Sequence, residues 1–581
     1  MDKKIEPEPE PAEVGAMVTL WAEQAAKLDK SVDPFGIGKS FGKVAEGWLT
    51  HPTESALAMG ELVRELQNLQ LNAWQTAAGL QPAPAVKAAP DDARFADPAW
   101  TEMPAANLLK QYYLLYTHWL QEALFETPGV PAKERRRVTF WARQWLNAVA
   151  PTNYLFTNPI ALRKLWESGG QSLTNGLKLW LEDMRAGDVQ MVDRSAFKVG
   201  QNLATTPGAV VYRNELFELI QYAPTTSEVF EIPIVMIPPW INKYYILDLN
   251  EKKSLLRYLV SQGYTVFIVS WKNPSAAQAD TTFEDYLMKG MRQAIEVARA
   301  ICKVPQVQAC GYCIGGTGLA TLMAWLNREH DDPAAVPVAH WTLLTALADF
   351  SRPGGIEVFV DEETVDALDQ MMAQRGYLEG REMGRAFRLL RSNSLIWHYF
   401  VHSYLYGEAP PPFDVLYWNT DVTRMPRAMH SFYLREFYLH NKLIRKDALT
   451  LAGHPLDLGQ IRQPLYAVGC EEDHIAPWKA TFHIARHINA PVRYTLSSSG
   501  HILGIINPPV KPPKRSYWSG ETDESPPEEW LKRQRKVDGT WWENWTGWLA
   551  RRCGAKIAAR PLGSAEYPVL STAPGSYVHE I

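Results

Sequence analysis

The rhythm of hydrophobic and polar positions changes near residue 205. Before that point the spacing is helical. Within residues 52–80, Met59, Leu62, Leu66, Leu69 and Ala73 recur at alternating intervals of three and four, which puts them on one helix face. Residues 104 to about 190 are again mostly helical; Pro131 opens one helix, and the basic cluster 133–137 in its first turns reads as a solvated face. The Pro/Ala stretch 81–95 reads as a linker. Residues 1–15, with their Glu-Pro repeats, read as a disordered tail.

Beyond residue 205, short β-rich runs bounded by Pro and Gly appear at 209–212, 216–222, 233–237, 265–270, 306–311, 341–345, 464–468 and 492–496. Helical stretches at 255–262, 283–301 and 316–328 lie between them. Strands alternating with helices predict an α/β class with a mostly parallel sheet covered by helices on both faces. One stretch breaks the alternation. Residues 350–440, rich in aromatics as in IWHYFVHSYLYG (396–407), do not resolve into strand-helix units and read as a cap inserted between two strands. The expected organisation is a tail, amphipathic helices and linker over 1–95, a helical domain over 96–200, and a catalytic α/β domain with its cap over 201–581.

Composition narrows the function. A net charge of −5 gives no electrostatic reason to expect a nucleic-acid partner. The start of the chain lacks the apolar core of a secretory signal, and no run of 18 or more apolar residues is present to span a membrane. Cys302, Cys310, Cys313, Cys470 and Cys553 are sparse, odd in number and without zinc-ligand spacing, which fits free thiols in a reducing compartment. The expected setting is therefore cytoplasmic. The 22 tryptophans suit large cores, and they also suit surfaces that meet something greasy.

The strongest chemical signal is QVQACGYCIGGTGLA (306–320): a β-rich run, then Gly311-Tyr312-Cys313-Ile314-Gly315-Gly316, then a helix. This is the nucleophile elbow G-x-Nu-x-G of the α/β-hydrolase fold, with cysteine in place of serine. The tight strand-to-helix turn demands small residues around Cys313 and leaves it at the positive end of a helix, where a thiolate is favoured. In this fold the acid and then the base follow the nucleophile in chain order. Asp473 lies in the loop after the run 464–468 and His501 in the loop after 492–496, both where parallel sheets gather catalytic groups. Asp349, after the run 341–345, is a rival acid whose commoner meaning is a helix cap. His474 adjoins the acid but follows the wrong strand to be the base.

The segment IPIVMIPPWINKYYILDL (232–249) sits where the fold supplies an oxyanion-hole amide. Pro238 and Pro239 have no N–H, so the donor would be the backbone of Trp240 or Ile241, with Ile314 as the second. His483 and His487 are spaced like metal ligands, but position 484 is Ile and no third ligand is evident, so they read as solvated helix residues and no metal is expected.

With these motifs in view, the chain resembles the class I polyhydroxyalkanoate (poly(3-hydroxybutyrate)) synthases over nearly all of its length past residue 95. The similar segments include TPGAVVYRNELFELIQY (206–222), PPWINKYYILDL (238–249), GYCIGGT (311–317), FDVLYWNTD (413–421), EDHIAPW (472–478), SGHILGIINPP (499–509) and GTWWENWTGWL (539–549). The resemblance implies that Cys313 is the nucleophile, Asp473 the catalytic aspartate and His501 the catalytic histidine. It implies a short-chain (R)-3-hydroxyacyl-CoA substrate, CoA being part of the substrate and a product rather than a cofactor. It implies no other cofactor, and a homodimer at the surface of polymer granules, with the amino-terminal part serving dimerisation and granule contact. Two alternatives stay open at this level: an intracellular thioesterase or esterase of the same fold, and a granule-coating protein with a vestigial site.

Overall fold

The computed structural model describes residues 36–581 except 81, 90 and 91; the expected disordered tail lies outside the described residues. The chain divides into two compact units, one of Met1–Asp193 with Ala386–Pro411, the other of Arg194–Arg385 with Pro412–Ile581.

The first unit is helical. Its main helices are α1 (Ile37–Thr50), α2 (Pro52–Ala77), α3 (Pro104–Phe125), α4 (Ala132–Ala148) and α5 (Gln171–Ala186). On α2, Leu69 is buried, as its place on the apolar face requires, whereas Met59 is exposed. The Pro/Ala stretch before α3 is held against that helix, with the Ala85 N–H donating to Gln111 Oε1 at 2.8 Å. Phe95 and Trp100 close a small core there, packed edge to face. The middle of the long stretch 350–440 belongs to this unit: Tyr404 donates to Asp183 Oδ2 at 2.6 Å, and Asn147 Nδ2 to Ser392 Oγ at 3.0 Å.

The second unit is built on an eleven-stranded sheet. Its strands are β1 (Gly208–Arg213), β2 (Phe217–Tyr222), β3 (Ile234–Ile237), β4 (Val266–Trp271), β5 (Val307–Tyr312), β6 (Val338–Leu344), β7 (Leu465–Cys470), β8 (Val492–Ser497), β9 (Ser516–Glu521), β10 (Val537–Asp538) and β11 (Ser571–Thr572). They lie in the order β10-β9-β8-β7-β6-β5-β3-β4-β2-β1-β11. Strands β3 to β8 pair in parallel, and the antiparallel strands flank them. The mostly parallel sheet expected from the alternation is therefore present. Strand β9, SYWSGE, went unseen because only its first two residues are buried, so no apolar alternation runs along it.

Both faces of the sheet are buried, and side chains alternate between two cores. Val235 and Ile237 face one core, shared with α7 (Gln293–Cys302) and α8 (Ile314–Glu329); Ile234 and Met236 face the other, shared with α6 (Leu255–Ser261) and α9 (Trp541–Ala550). The tryptophans divide between the cores and the surface. Trp541, Trp542 and Trp545 of α9 are buried, while Trp74 and Trp166 of the helical unit are largely exposed.

Candidate active site

Cys313 sits at the turn from β5 to α8 with φ 54° and ψ −127°, a left-handed conformation that strains a side-chain-bearing residue by about 1–3 kcal/mol. Three glycines make the turn possible. A Cβ on Gly311 would strike the Gly316 backbone, one on Gly316 would strike Ala346, and one on Gly315 would strike the carbonyls of Ile237 and Pro238. The turn is fastened by Cys313 N–H donating to Leu344 O at 2.9 Å, and by the N–H groups of Gly316 and Thr317 donating to Cys313 O. Cys313 is half-buried, whereas Cys302, Cys310, Cys470 and Cys553 are buried. Burial pushes the thiols of Cys302 and Cys553 up to about 12, and those of Cys310 and Cys470 up as well, so these four stay protonated at neutral pH.

Asp473 and His501 lie in the loops leaving β7 and β8, which are neighbours in the sheet. Those loops are tied to each other, Glu471 N–H donating to Ser497 O at 2.9 Å and Glu472 N–H to Ser499 O at 3.0 Å. Asp473 Oδ2 lies 2.6 Å from His501 Nδ1, while Oδ1 accepts from the N–H groups of Ile475 and Ala476 at 2.8 and 2.9 Å. Cys313 lies near enough to act on the imidazole as well. Burial pushes the imidazole pKa down, but the Asp473 carboxylate and the neighbouring Cys313 together outweigh it, and the His501 pKa rises from 6.5 to about 10. Such a histidine holds its proton at neutral pH.

Residues not singled out in the sequence complete the setting. Tyr312 stacks on the His501 ring with centroids 5.7 Å apart and donates its hydroxyl to His501 O at 3.1 Å. Trp541 and Trp542 donate their indole N–H groups to Gly504 O and Ile505 O, each at 2.9 Å, bracing the loop that carries His501. Position 312 is the unspecified x of G-x-Nu, and GTWWENWTGWL carries no catalytic residue type, so neither could have been found by motif alone. Within the stretch read as a cap, Tyr433 is buried and Tyr438 half-buried; burial, then Tyr438 and Cys313, pushes the Tyr433 phenol up, and burial, then Cys313, that of Tyr438.

Asp349 is occupied elsewhere. It takes His483 Nδ1 at 3.0 Å, Asn441 Nδ2 at 2.9 Å and the Ser351 N–H at 2.9 Å. His483, expected as a solvated helix residue, is thus partnered on Asp349, and His487 lies 4.0 Å from the same carboxylate. The carbonyl of His474 accepts from Gly355 N–H at 2.9 Å. Ile314 opens α8, where a first-turn N–H has no intrahelical acceptor. Trp240 and Ile241 follow the two prolines after β3; their carbonyls accept from Thr423 Oγ1 at 2.5 Å and from Thr423 N–H at 3.0 Å.

Residues 91–259 match the family model described as the Poly-beta-hydroxybutyrate polymerase (PhaC) N-terminus. The chain is 39% identical over 577 residues to the poly(3-hydroxyalkanoate) polymerase of Methylorubrum extorquens, covering 98% of this chain and 93% of that one. It is 43% identical over 493 residues to the poly(3-hydroxyalkanoate) polymerase subunit PhaC of Cupriavidus necator, covering 84% and 83%. Among solved structures, an esterase from Exiguobacterium antarcticum aligns over 51% of this chain and 92% of its own, with 15% identity and a TM-score of 0.28. A putative hydrolase from Agrobacterium vitis aligns over 51% and 91%, with 15% identity and a TM-score of 0.30. An α/β-hydrolase sheet with a cysteine at its nucleophile elbow, and identity carried through both units to relatives of nearly the same length, place this chain in the poly(3-hydroxyalkanoate) polymerase family.

Proposed function

We propose that this acyltransferase polymerises (R)-3-hydroxyacyl-CoA, short-chain units such as 3-hydroxybutyryl-CoA, into polyhydroxyalkanoate with release of CoA. The observation that carries the reading is the hydrogen bond between Asp473 and His501, with Cys313 beside the imidazole, at the carboxyl edge of the sheet. The Cys313 thiolate attacks the thioester carbonyl, and the tetrahedral oxyanion takes backbone N–H groups of Ile314 and of Trp240 or Ile241. The C–S bond to CoA breaks, and the CoA thiolate leaves with the proton of the His501 imidazolium. This exchange of one thioester for another is nearly balanced. A 3-hydroxyl of another unit then attacks the Cys313 thioester, His501 takes the hydroxyl proton, and an oxoester forms as the thiolate departs. That step is downhill and drives growth; a serine would hold the chain as an oxoester from the start and lose the drive. Water competes with the hydroxyl, so the buried aromatics beside Cys313 have a purpose in excluding it. No metal or redox cofactor enters these steps.

The same reading places the chain at a polyester granule as a homodimer. What supports it is the surface of the helical unit, where Phe156 and Trp166 are 84% and 87% exposed and Trp74 is 74% exposed. Among the described residues no helix is long and apolar enough to cross a membrane, so contact with a greasy phase would be made from one side. The deciding experiment incubates the purified protein with 3-hydroxybutyryl-CoA and follows CoA release together with turbidity. Both should rise. CoA release without turbidity would mean hydrolysis, and neither would mean a vestigial site.

A further inference from the structure

Lys243 is an ammonium buried to 3% exposure, two residues beyond Ile241. A buried ammonium needs acceptors, and here they come from the far end of the chain. Lys243 Nζ donates to Glu580 O at 2.5 Å and to Tyr577 O at 3.4 Å. Its own carbonyl accepts from Trp418 Nε1 at 2.7 Å.

The segment 576–580 is itself fastened. Glu218 on β2, with no exposed surface, accepts from Ser576 N–H at 2.8 Å, Ser576 Oγ at 2.7 Å and Tyr577 N–H at 3.0 Å. The Tyr577 hydroxyl donates to Asn214 O at 2.7 Å, and its ring lies 5.0 Å from Lys272 Nζ. Val578 is buried in the same core as Tyr244, Tyr245 and Ile246, the residues that follow Lys243. The Glu580 carboxylate meets the Asn273 N–H at 3.3 Å. An apolar residue at 243 would fill the same space without gripping these carbonyls. The charge makes the placement of the 240–243 loop depend on residues more than three hundred positions away in the chain.

We infer that residues 576–580 form a strap that positions the 240–243 loop beside Cys313, with Lys243 and Glu218 as positioning residues for acyl transfer. The inference rests on the oxyanion role proposed above for that loop. The loop is then held by Thr423 on the carbonyls of Trp240 and Ile241, by Trp418 on the carbonyl of Lys243, and by the strap on the Lys243 ammonium.

The test uses the full chain carrying Lys243→Met, with three measurements. Hydrogen exchange of the 240–243 amides reads the strap. Single-turnover acylation of Cys313 by 3-hydroxybutyryl-CoA reads the oxyanion donors. Alkylation of Cys313 by iodoacetamide forms no oxyanion and reads the thiolate alone. Expected are faster exchange, acylation slowed about 10- to 100-fold by donor misplacement, and unchanged alkylation. Lys243→Arg should restore most of the acylation rate. Tyr577→Ala, which loosens the strap from its outer side, should give the same pattern more mildly, and it carries the test if Lys243→Met does not fold. Unchanged exchange overturns the strap. Faster exchange with normal acylation overturns the positioning role and places the failure in the oxyanion reading. Acylation and alkylation falling together also overturn it, since the loss is then one of general structure.

Discussion

Asp473 Oδ2 lies 2.6 Å from His501 Nδ1, and both side chains are withdrawn from solvent. A charge-assisted contact this short and this dry fixes the imidazole's orientation and tautomer. The second Asp473 oxygen is held by two backbone N–H groups, so the carboxylate has little freedom to turn elsewhere.

Replacing Cys313 by Ala should abolish turnover, because the acyl group then has no carrier. Cys310 and Cys470 are buried with raised thiols and should not rescue it. Polymer formation by Cys313→Ala, followed by turbidity, would remove the nucleophile assignment.

His501→Gln should slow acylation of Cys313 by about 10²–10⁴-fold, the usual contribution of a positioned base. The measurement is single-turnover CoA release. A near-normal rate would point to another base, with His474 the first to examine.

Asp473→Asn separates two roles. If the carboxylate mainly activates the acceptor hydroxyl, one substrate molecule should still acylate Cys313 while elongation fails. If it mainly orients His501, both half-reactions should fall together. The expected outcome is the second, because Asp473 Oδ2 is held on His501 and Oδ1 on two backbone N–H groups, which leaves neither oxygen for the acceptor hydroxyl. Trapping the acyl-enzyme of the variant and timing its formation decides between them.

The same variant should change the titration of His501. In the native protein the imidazole should hold its proton to about pH 10 rather than 6.5. Because the folded pKa is raised, its stabilising contribution is complete below pH 6.5 and is lost as pH rises through about 10. Without the Asp473 charge, the downward push of burial is less opposed and the pKa should drop. NMR titration of the histidine, with unfolding midpoints across the same range, measures both effects.

Gly315→Ala should cost activity and stability together. The added methyl meets two backbone carbonyls, those of Ile237 and Pro238, rather than a yielding side chain. Either α8 or the loop after β3 must move, and a shift of either displaces an N–H proposed above as an oxyanion donor. Acylation should fall at least tenfold, on the order of the cost of a misplaced group. Native acylation with an unchanged melting midpoint would refute this account of the glycine.

How much could be read from the chain alone follows the range of the forces involved. The elbow at Cys313 was legible because its steric demands are local: Gly311, Gly315 and Gly316 are needed within a few residues of the strained turn. The parallel core was legible because strands buried on both faces write themselves as short apolar runs between helices. Choosing between Asp349 and Asp473 was a different problem. Both follow strands of the same sheet, at the same end, with similar loops. Asp473 meets His501 because β7 pairs with β8 in a register that ties their exit loops together, while His483 and Asn441 claim Asp349. Tyr312 against His501, the indoles of α9 under the His501 loop, and Lys243 on the carbonyls of Tyr577 and Glu580 likewise join residues far apart in the chain. Periodicity and spacing report a residue's own neighbourhood along the chain. Which distant group a buried charge or hydrogen bond finds is settled by strand order, register and packing, and these exist once the chain has folded.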